Sequence, residues 1–274
     1  MTMPLGYILG QSPTAARRLE IQDGQFAEAS EALLDELALA PHDRVVELGC
    51  GPGGFSRRIL GRLGPAGVLV AVDSSESLLA QARQTLAGVG SAKYEPTLAD
   101  VADLGPWLAG ADVVVGRAVL HHVPMVELML GRLRAIVRPA TRIGFIEPDF
   151  RSVLGRLAYM QANGRPELAP LAIWATAINE LYLAKRISPD VGASLAQTLK
   201  YAGYRNVRSQ WSACQPDERM LENMLMFYDE VRERLQALAI MTTAEVDRQM
   251  SLLRGLDPAT LTPAWANYRV SAMA

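Results

Sequence analysis

The segment Val45-Val46-Glu47-Leu48-Gly49-Cys50-Gly51-Pro52-Gly53-Gly54 runs an apolar stretch into a turn made mostly of glycine. Glycine reaches positive φ freely and carries no Cβ, so such a turn brings main-chain amides close to a ligand. A helix starting there adds a preference for negative groups. Gly49, Gly51 and Gly54 also fit the dinucleotide spacing G-x-G-x-x-G, and a tight turn without a ligand is a third reading. Three carboxylates discriminate. Glu47 stands two residues before Gly49, where it suits an ammonium and repels a pyrophosphate. Asp73 ends the next apolar run, where a carboxylate accepts ribose hydroxyls, and Asp100 follows a third run, placed for an exocyclic adenine amine. The ligand so described has an ammonium, a free ribose and an adenine.

The elements that must position these groups are legible in the same stretch. The β-branched runs 45–48, 68–72, 113–115 and 143–146 predict buried strands, with a weaker one at 92–98. Helices are predicted at 56–63, 76–87 and 125–137, the second behind the capping serines Ser74 and Ser75. Strands alternating with helices imply an α/β fold with a doubly wound, mostly parallel sheet. Residues 1–40 read as helix, opening at Ser12-Pro13 and carrying Phe26, Leu33, Leu34 and Leu37 at helical spacing. After Phe150, residues 151–187 read as a helical insertion. A helix restarts at Ser188-Pro189 and stops at Gly203, and strands follow at 207–211 and 265–273. Residues 217–254 form a second insertion with a capping box at Thr242 and Glu245. The expected organisation is an N-terminal helical lid at 1–40, a Rossmann-like core at 41–150, a substrate lid at 151–187, and the rest of the core at 188–274 around the insertion 217–254.

In these residues the chain resembles the class I S-adenosylmethionine-dependent methyltransferases of the small-molecule type, similar to ubiquinone- and menaquinone-type domains. Glu47-Leu48-Gly49-Cys50-Gly51-Pro52-Gly53 resembles their first motif, Val70-Ala71-Val72-Asp73 the second, and Ala99-Asp100-Val101 the adenine-contacting turn. The stretch from Ala111 to Val123, containing Arg117, His121 and His122, is similar to their segment beneath the methyl donor. The resemblance is strong over 40–150 and loose over 188–211. It implies S-adenosyl-L-methionine as cofactor, held by Glu47, Gly49, Cys50, Gly51, Gly53, Asp73, Ser74, Asp100 and Val101. Tyr7 closing over the donor and Arg117 meeting its carboxylate extend that set, although Arg117 also reads as a solvated loop charge.

The acceptor side of the reaction is less specified. His121 and His122 follow the fourth strand, where an imidazole can deprotonate or orient a hydroxyl; they also read as packing and backbone-bonding groups. Glu147 and Asp149 end the fifth strand, either to hold an acceptor or to cap the next helix. Cys50 reads as a small packing side chain. The two insertions and the N-terminal helices are expected to enclose the acceptor, with Trp174 and Tyr182 lining it. Met220, Met224 and Met226 read first as core.

Composition bounds the rest. The chain has 274 residues, half of them apolar, and a net charge of −2, enough for a large core and without a basic stripe for nucleic acid. Two cysteines and three histidines give no metal-ligand spacing, so no metal is expected. The first residues lack a signal-peptide pattern, and no apolar run has membrane-spanning length, so a cytoplasmic protein without a membrane partner is expected. The expected activity is methyl transfer to a small-molecule acceptor. The competing readings are an NAD-dependent oxidoreductase and a non-enzymatic S-adenosylmethionine sensor. A homodimer is the candidate assembly.

Overall fold

A computed structural model describes residues 13–274. The chain divides into a sheet unit, residues 26–147, 191–211 and 268–274, and a helical unit, residues 148–190 and 212–267 with the described residues 13–25.

The sheet contains β1 (Arg44–Leu48), β2 (Val68–Asp73), β3 (Lys93–Leu98), β4 (Val113–Arg117), β5 (Arg142–Asp149), β6 (Arg205–Ala213) and β7 (Ala266–Met273). Their order is β3-β2-β1-β4-β5-β7-β6, and β1 to β5 pair in parallel. The two-residue period of a strand divides its side chains between two helical layers. Val45, Leu69, Val113 and Val115 pack with α2 (Ala27–Glu36), α3 (Gly54–Leu60) and α4 (Glu76–Thr85). Their neighbours Val46, Val70 and Val114 pack with α5 (Val126–Ile136) and α8 (Val191–Tyr201). Burial on both faces explains why these strands read as unbroken apolar runs. The reversal of strand order beside β1 puts a crevice at the carboxyl ends of β1 and β4, where such sheets bind ligands.

The predicted 1–40 lid divides at Phe26. Phe26, Leu33, Leu34 and Leu37 belong to the buried cluster that holds Val45 of β1, Val113 and Val115 of β4 and Ile146 of β5, so α2 is a layer of the sheet unit. Gly144 makes room for it, since a Cβ there would stand 2.6 Å from Leu37 Cδ1. Helix α1 (Pro13–Gln25) instead belongs to the helical unit, where Arg18 and Glu230 form a buried ion pair at 2.8 Å.

The helical unit further comprises α6 (Ser152–Ala162), α7 (Ala169–Ala184), α9 (Glu218–Ala237) and α10 (Thr243–Arg254). Phe150, Trp174, Phe227 and Trp265 meet at ring-centroid distances of 5.5–6.1 Å, and Tyr182 lies 5.9 Å from Phe150. Trp174 and Tyr182, expected at an acceptor surface, are 2% and 1% exposed and form the interior of this unit. Trp174 Nε1 donates to the Met224 carbonyl at 3.3 Å, which satisfies the indole inside that core. Met220 and Met224 are core residues as well. The capping box of Thr242 and Glu245 starts α10. Among the described residues, no helix is long and apolar enough to cross a membrane.

Candidate active site at the carboxyl ends of β1, β2 and β4

The turn after β1 carries Gly49, Gly51 and Gly53 at φ +67°, +53° and +91°. Each value lies in the left-handed region that favours glycine. Gly49 also answers to sterics: a Cβ there would sit 2.5 Å from Val119 Cγ2. At Gly51 the position is open, with no atom within 4 Å of an added Cβ. The turn is tied to β2 by Cys50 N donating to the Val72 carbonyl at 3.0 Å. Gly51 N donates to Asp73 Oδ2 at 2.8 Å, and Ser75 N donates to Asp73 Oδ1 at 2.9 Å. Asp73 is thereby fixed with one donor on each oxygen. Burial pushes its pKa up, while the amides of Ser75, Gly51 and Ser74 oppose the rise. Ser75 caps α4 by accepting from Leu78 N, and Ser74 beside it is exposed.

Glu47 is 1% exposed and accepts a short hydrogen bond from Ser56 Oγ of α3. That bond braces β1 against the helix leaving the turn. Asp100 is exposed after β3, and its Oδ1 accepts from Ala102 N at 2.9 Å, capping the short turn that holds the buried Val101. Cys50 is 4% exposed, and burial together with Glu47 and Asp73 raises its thiol pKa well above the ordinary value. Its side chain packs in the core beneath the turn.

The second half of the site follows β4. Ala118 turns the chain at φ +52°, an uncommon value for a residue with a Cβ, and donates to the Ile146 carbonyl at 2.8 Å. The next three amides converge on Glu147. Val119 N and Leu120 N donate to Oε1 at 3.0 and 2.8 Å, and His121 N donates to Oε2 at 3.2 Å. His121 Nδ1 lies 2.7 Å from the same Oε2. Glu147 is fully buried, which pushes its pKa up to about 7 against the pull of the three amides. The imidazoles of His121 and His122 stand 4.0 Å apart.

Several sequence expectations change here. Glu147 does not present its carboxylate to an acceptor, because both oxygens are engaged and the residue is 0% exposed; it fixes the loop and the His121 ring. Asp149 takes the capping alternative, accepting from Arg151 N and Ser152 N at the start of α6. Arg117 is not a solvated loop charge. Its guanidinium lies 5.2 Å from the Phe55 ring and 5.7 Å from the Phe26 ring and donates to Ser30 Oγ, joining α2 to α3. Tyr7 lies outside the described residues. Sequence reasoning missed Ser56 and the 119–121 amides. Main-chain donors leave no mark in residue types, and Ser56 stands at the unremarkable start of a helix. Among the described residues, no group of three or more His, Cys, Asp or Glu side chains is arranged to hold a metal ion.

Residues 46–143 match a family described as "Methyltransferase domain". A trans-aconitate 2-methyltransferase of Variovorax paradoxus is 35% identical over 144 residues, 53% of this chain and 52% of the relative. The chain thus spans about half the length of the curated relatives it matches. Among solved structures, a mycolic acid cyclopropane synthase complexed with S-adenosylhomocysteine and CTAB is similar, with TM-score 0.60 and 15% identity over 99% of this chain and 91% of that one. A geranyl diphosphate C-methyltransferase from Streptomyces coelicolor A3(2) gives TM-score 0.53 and 14% identity over 98% and 88%. At such identities these structures establish the likeness of fold.

Proposed function

We propose, from a chain whose residues 46–143 match a methyltransferase domain, that the protein is a class I enzyme that binds S-adenosyl-L-methionine and transfers its methyl group to a small-molecule acceptor. The observation that carries this reading is Asp73 tied to Gly51 N beside an open glycine turn. A carboxylate accepts about four hydrogen bonds, and Asp73, held by the amides of Gly51 and Ser75 with Ser74 nearby, keeps acceptor capacity for ribose hydroxyls. The absence of any atom within 4 Å of a Cβ at Gly51 leaves the backbone face of the turn approachable, as a ligand lying on it requires.

When bound, S-adenosyl-L-methionine supplies a methyl group already activated on a sulfonium. The chain's own task is then largely positioning. Gly49, Cys50, Gly51 and Gly53 form the seat, with Ser74 at its rim. Asp73 takes the ribose, and Asp100 takes the adenine amine with Val101 against the base. Glu47 adds negative charge beneath the ammonium end while Ser56 holds it in place. His121 and His122 stand at the acceptor, and Glu147 orients His121 through Nδ1. The two free buried cysteines suit a reducing, cytoplasmic compartment.

Isothermal titration of the full chain with S-adenosylmethionine and, separately, with NAD tests the reading. Binding of the first alone is expected, and Asp73→Ala is expected to weaken it by about 1.5–3 kcal/mol, the worth of a charge-assisted hydrogen bond. Unchanged affinity in a folded Asp73→Ala protein would remove the ribose assignment, and preferential NAD binding would remove the methyltransferase reading. Transfer of a labelled methyl group into small-molecule extracts then separates an enzyme from a sensor.

A further inference from the structure

The loop from Val119 to Met125 lies against the glycine turn, because the Cβ that Gly49 lacks would stand 2.5 Å from Val119 Cγ2. Two residues with positive φ bracket it, Ala118 at +52° and Met125 at +51°. Between them the loop divides by exposure. Val119, Leu120, His121 and Val123 are buried, and Glu147 holds the first three by their amides. His122 and Pro124 are half-buried, and Met125 is 67% exposed. The loop therefore offers a ligand one imidazole, one proline ring and one thioether chain. Met125 breaks two local rules to stand there. It is the N-cap of α5, a position that favours Asn, Asp or Ser, and its side chain makes no capping hydrogen bond. Its φ of +51° and ψ of +51° are left-handed, a conformation in which asparagine is enriched and methionine is not. Burial does not offset either cost, because most of the side chain is exposed. Local choices that contradict the fold gather at functional positions. Charge narrows the ligand. The sequence has no Lys or Arg between Arg117 and Arg132, Arg117 lies against the Phe26 and Phe55 rings, and Glu127 is exposed at the start of α5.

We propose that Met125 is a specificity-determining residue of the acceptor site, selecting with Pro124 and His122 an apolar acceptor that bears a hydroxyl. The assignment rests on the methyltransferase reading and adds the chemistry of the acceptor to it. The apolar body lies on Met125 and Pro124, where an unbranched, polarisable thioether fits irregular and aromatic surfaces. The hydroxyl meets His122, the exposed ring of the pair, while the 3% exposed His121 stays behind it on Glu147. A mostly apolar lining with one placed polar group is the usual make-up of a small-molecule site. An anionic acceptor would meet Glu127 and no cation on this segment, so it is selected against. The stability forgone at the α5 N-cap is then the cost of presenting methionine at the carboxyl edge of β4.

Calorimetric titration of the full chain saturated with S-adenosylhomocysteine tests this, with 2-naphthol as the apolar hydroxyl probe and citrate as the anionic one. Binding of 2-naphthol in preference to citrate is expected. Met125→Asn should weaken 2-naphthol binding by about tenfold or more, the discrimination one apolar contact supplies. The same variant should melt at a higher temperature than wild type, because asparagine suits both the left-handed conformation and the N-cap. Its affinity for S-adenosylhomocysteine should not change. Met125→Leu keeps the volume and the apolar contact and should bind 2-naphthol within about twofold of wild type. Ile136→Asn replaces another exposed apolar side chain, roughly 16 Å further along α5, and should leave binding unchanged. Equal 2-naphthol affinity in Met125→Asn and wild type overturns the proposal, as does an equal loss in Ile136→Asn. Failure of the saturated wild-type protein to bind 2-naphthol, or its preference for citrate, also overturns it. Failure to bind S-adenosylhomocysteine at all is a separate result, which removes the methyltransferase reading and the proposal with it.

Discussion

The carboxylate of Glu147 accepts from three consecutive amides, Val119 to His121, and its Oε2 lies 2.7 Å from His121 Nδ1. One buried side chain on β5 thus sets both the path of the loop after β4 and the orientation of its imidazole. Glu147→Gln is expected to lower turnover while leaving S-adenosylmethionine affinity near wild type, because the ring loses its carboxylate partner but the donor seat is untouched. Glu147→Ala leaves the amides and Nδ1 unpaired in the interior and is expected to cost about 3 kcal/mol or more in urea unfolding. Equal turnover for Glu147→Gln and wild type would confine Glu147 to a structural role.

The same residue gives the fold a pH dependence. Burial raises its pKa from 4.5 to about 7, so between those values the native state holds a proton that the unfolded chain has released. Its contribution to stability is therefore greatest below about 4.5 and is lost as pH rises toward about 7. Asp73, also raised by burial, acts in the same direction. Unfolding midpoints measured from pH 5 to pH 8 should fall less steeply in Glu147→Gln than in wild type, and parallel curves would show that Glu147 does not titrate there.

The glycines of the turn should separate by role. Gly49→Ala forces a Cβ toward Val119 Cγ2, 2.5 Å away, at φ +67°, and is expected to destabilise the protein by about 1–3 kcal/mol. Val119→Ala should recover part of that loss by removing the clashing methyl. Gly51→Val meets no protein atom within 4 Å at its Cβ, so its effect should fall on donor binding more than on folding. Titration and melting of the same variants distinguish these outcomes, and donor binding by Gly51→Val at wild-type affinity would place the ligand elsewhere.

Arg117 is held by two aromatic faces and Ser30, so Arg117→Ala should lower stability by about 1–2 kcal/mol through the lost cation–π contacts. Donor affinity should change little. A large loss of affinity with unchanged melting would return Arg117 to the cofactor.

Trp174→Ala is expected to destabilise the helical unit by about 3–5 kcal/mol, the cost of emptying an aromatic site in a packed core. Proteolysis or hydrogen exchange should show loosening among residues 148–190 and 212–267, the helical unit's segments. An acceptor-specific kinetic defect in a variant of unchanged stability would show that Trp174 is a lining residue after all.

The sequence alone determined the parallel sheet, its glycine turn and the acidic strand ends, because these rest on local rules. β-branched runs buried on both faces have no other home, and φ values above zero select glycine. It also determined the caps at Ser75 and Thr242, whose partners lie three residues along the chain. Tertiary structure decided what depends on distant partners. The helical period of Phe26, Leu33, Leu34 and Leu37 shows that α2 buries a face, but only β1, β4 and Gly144 show which surface receives it. Trp174 and Tyr182 carry the same residue types in a core as at an acceptor surface, so burial distinguished them. Glu147 was visible as a carboxylate at a strand end. Its role came from amides 26 to 28 residues earlier in the chain, which any residue but proline would have supplied.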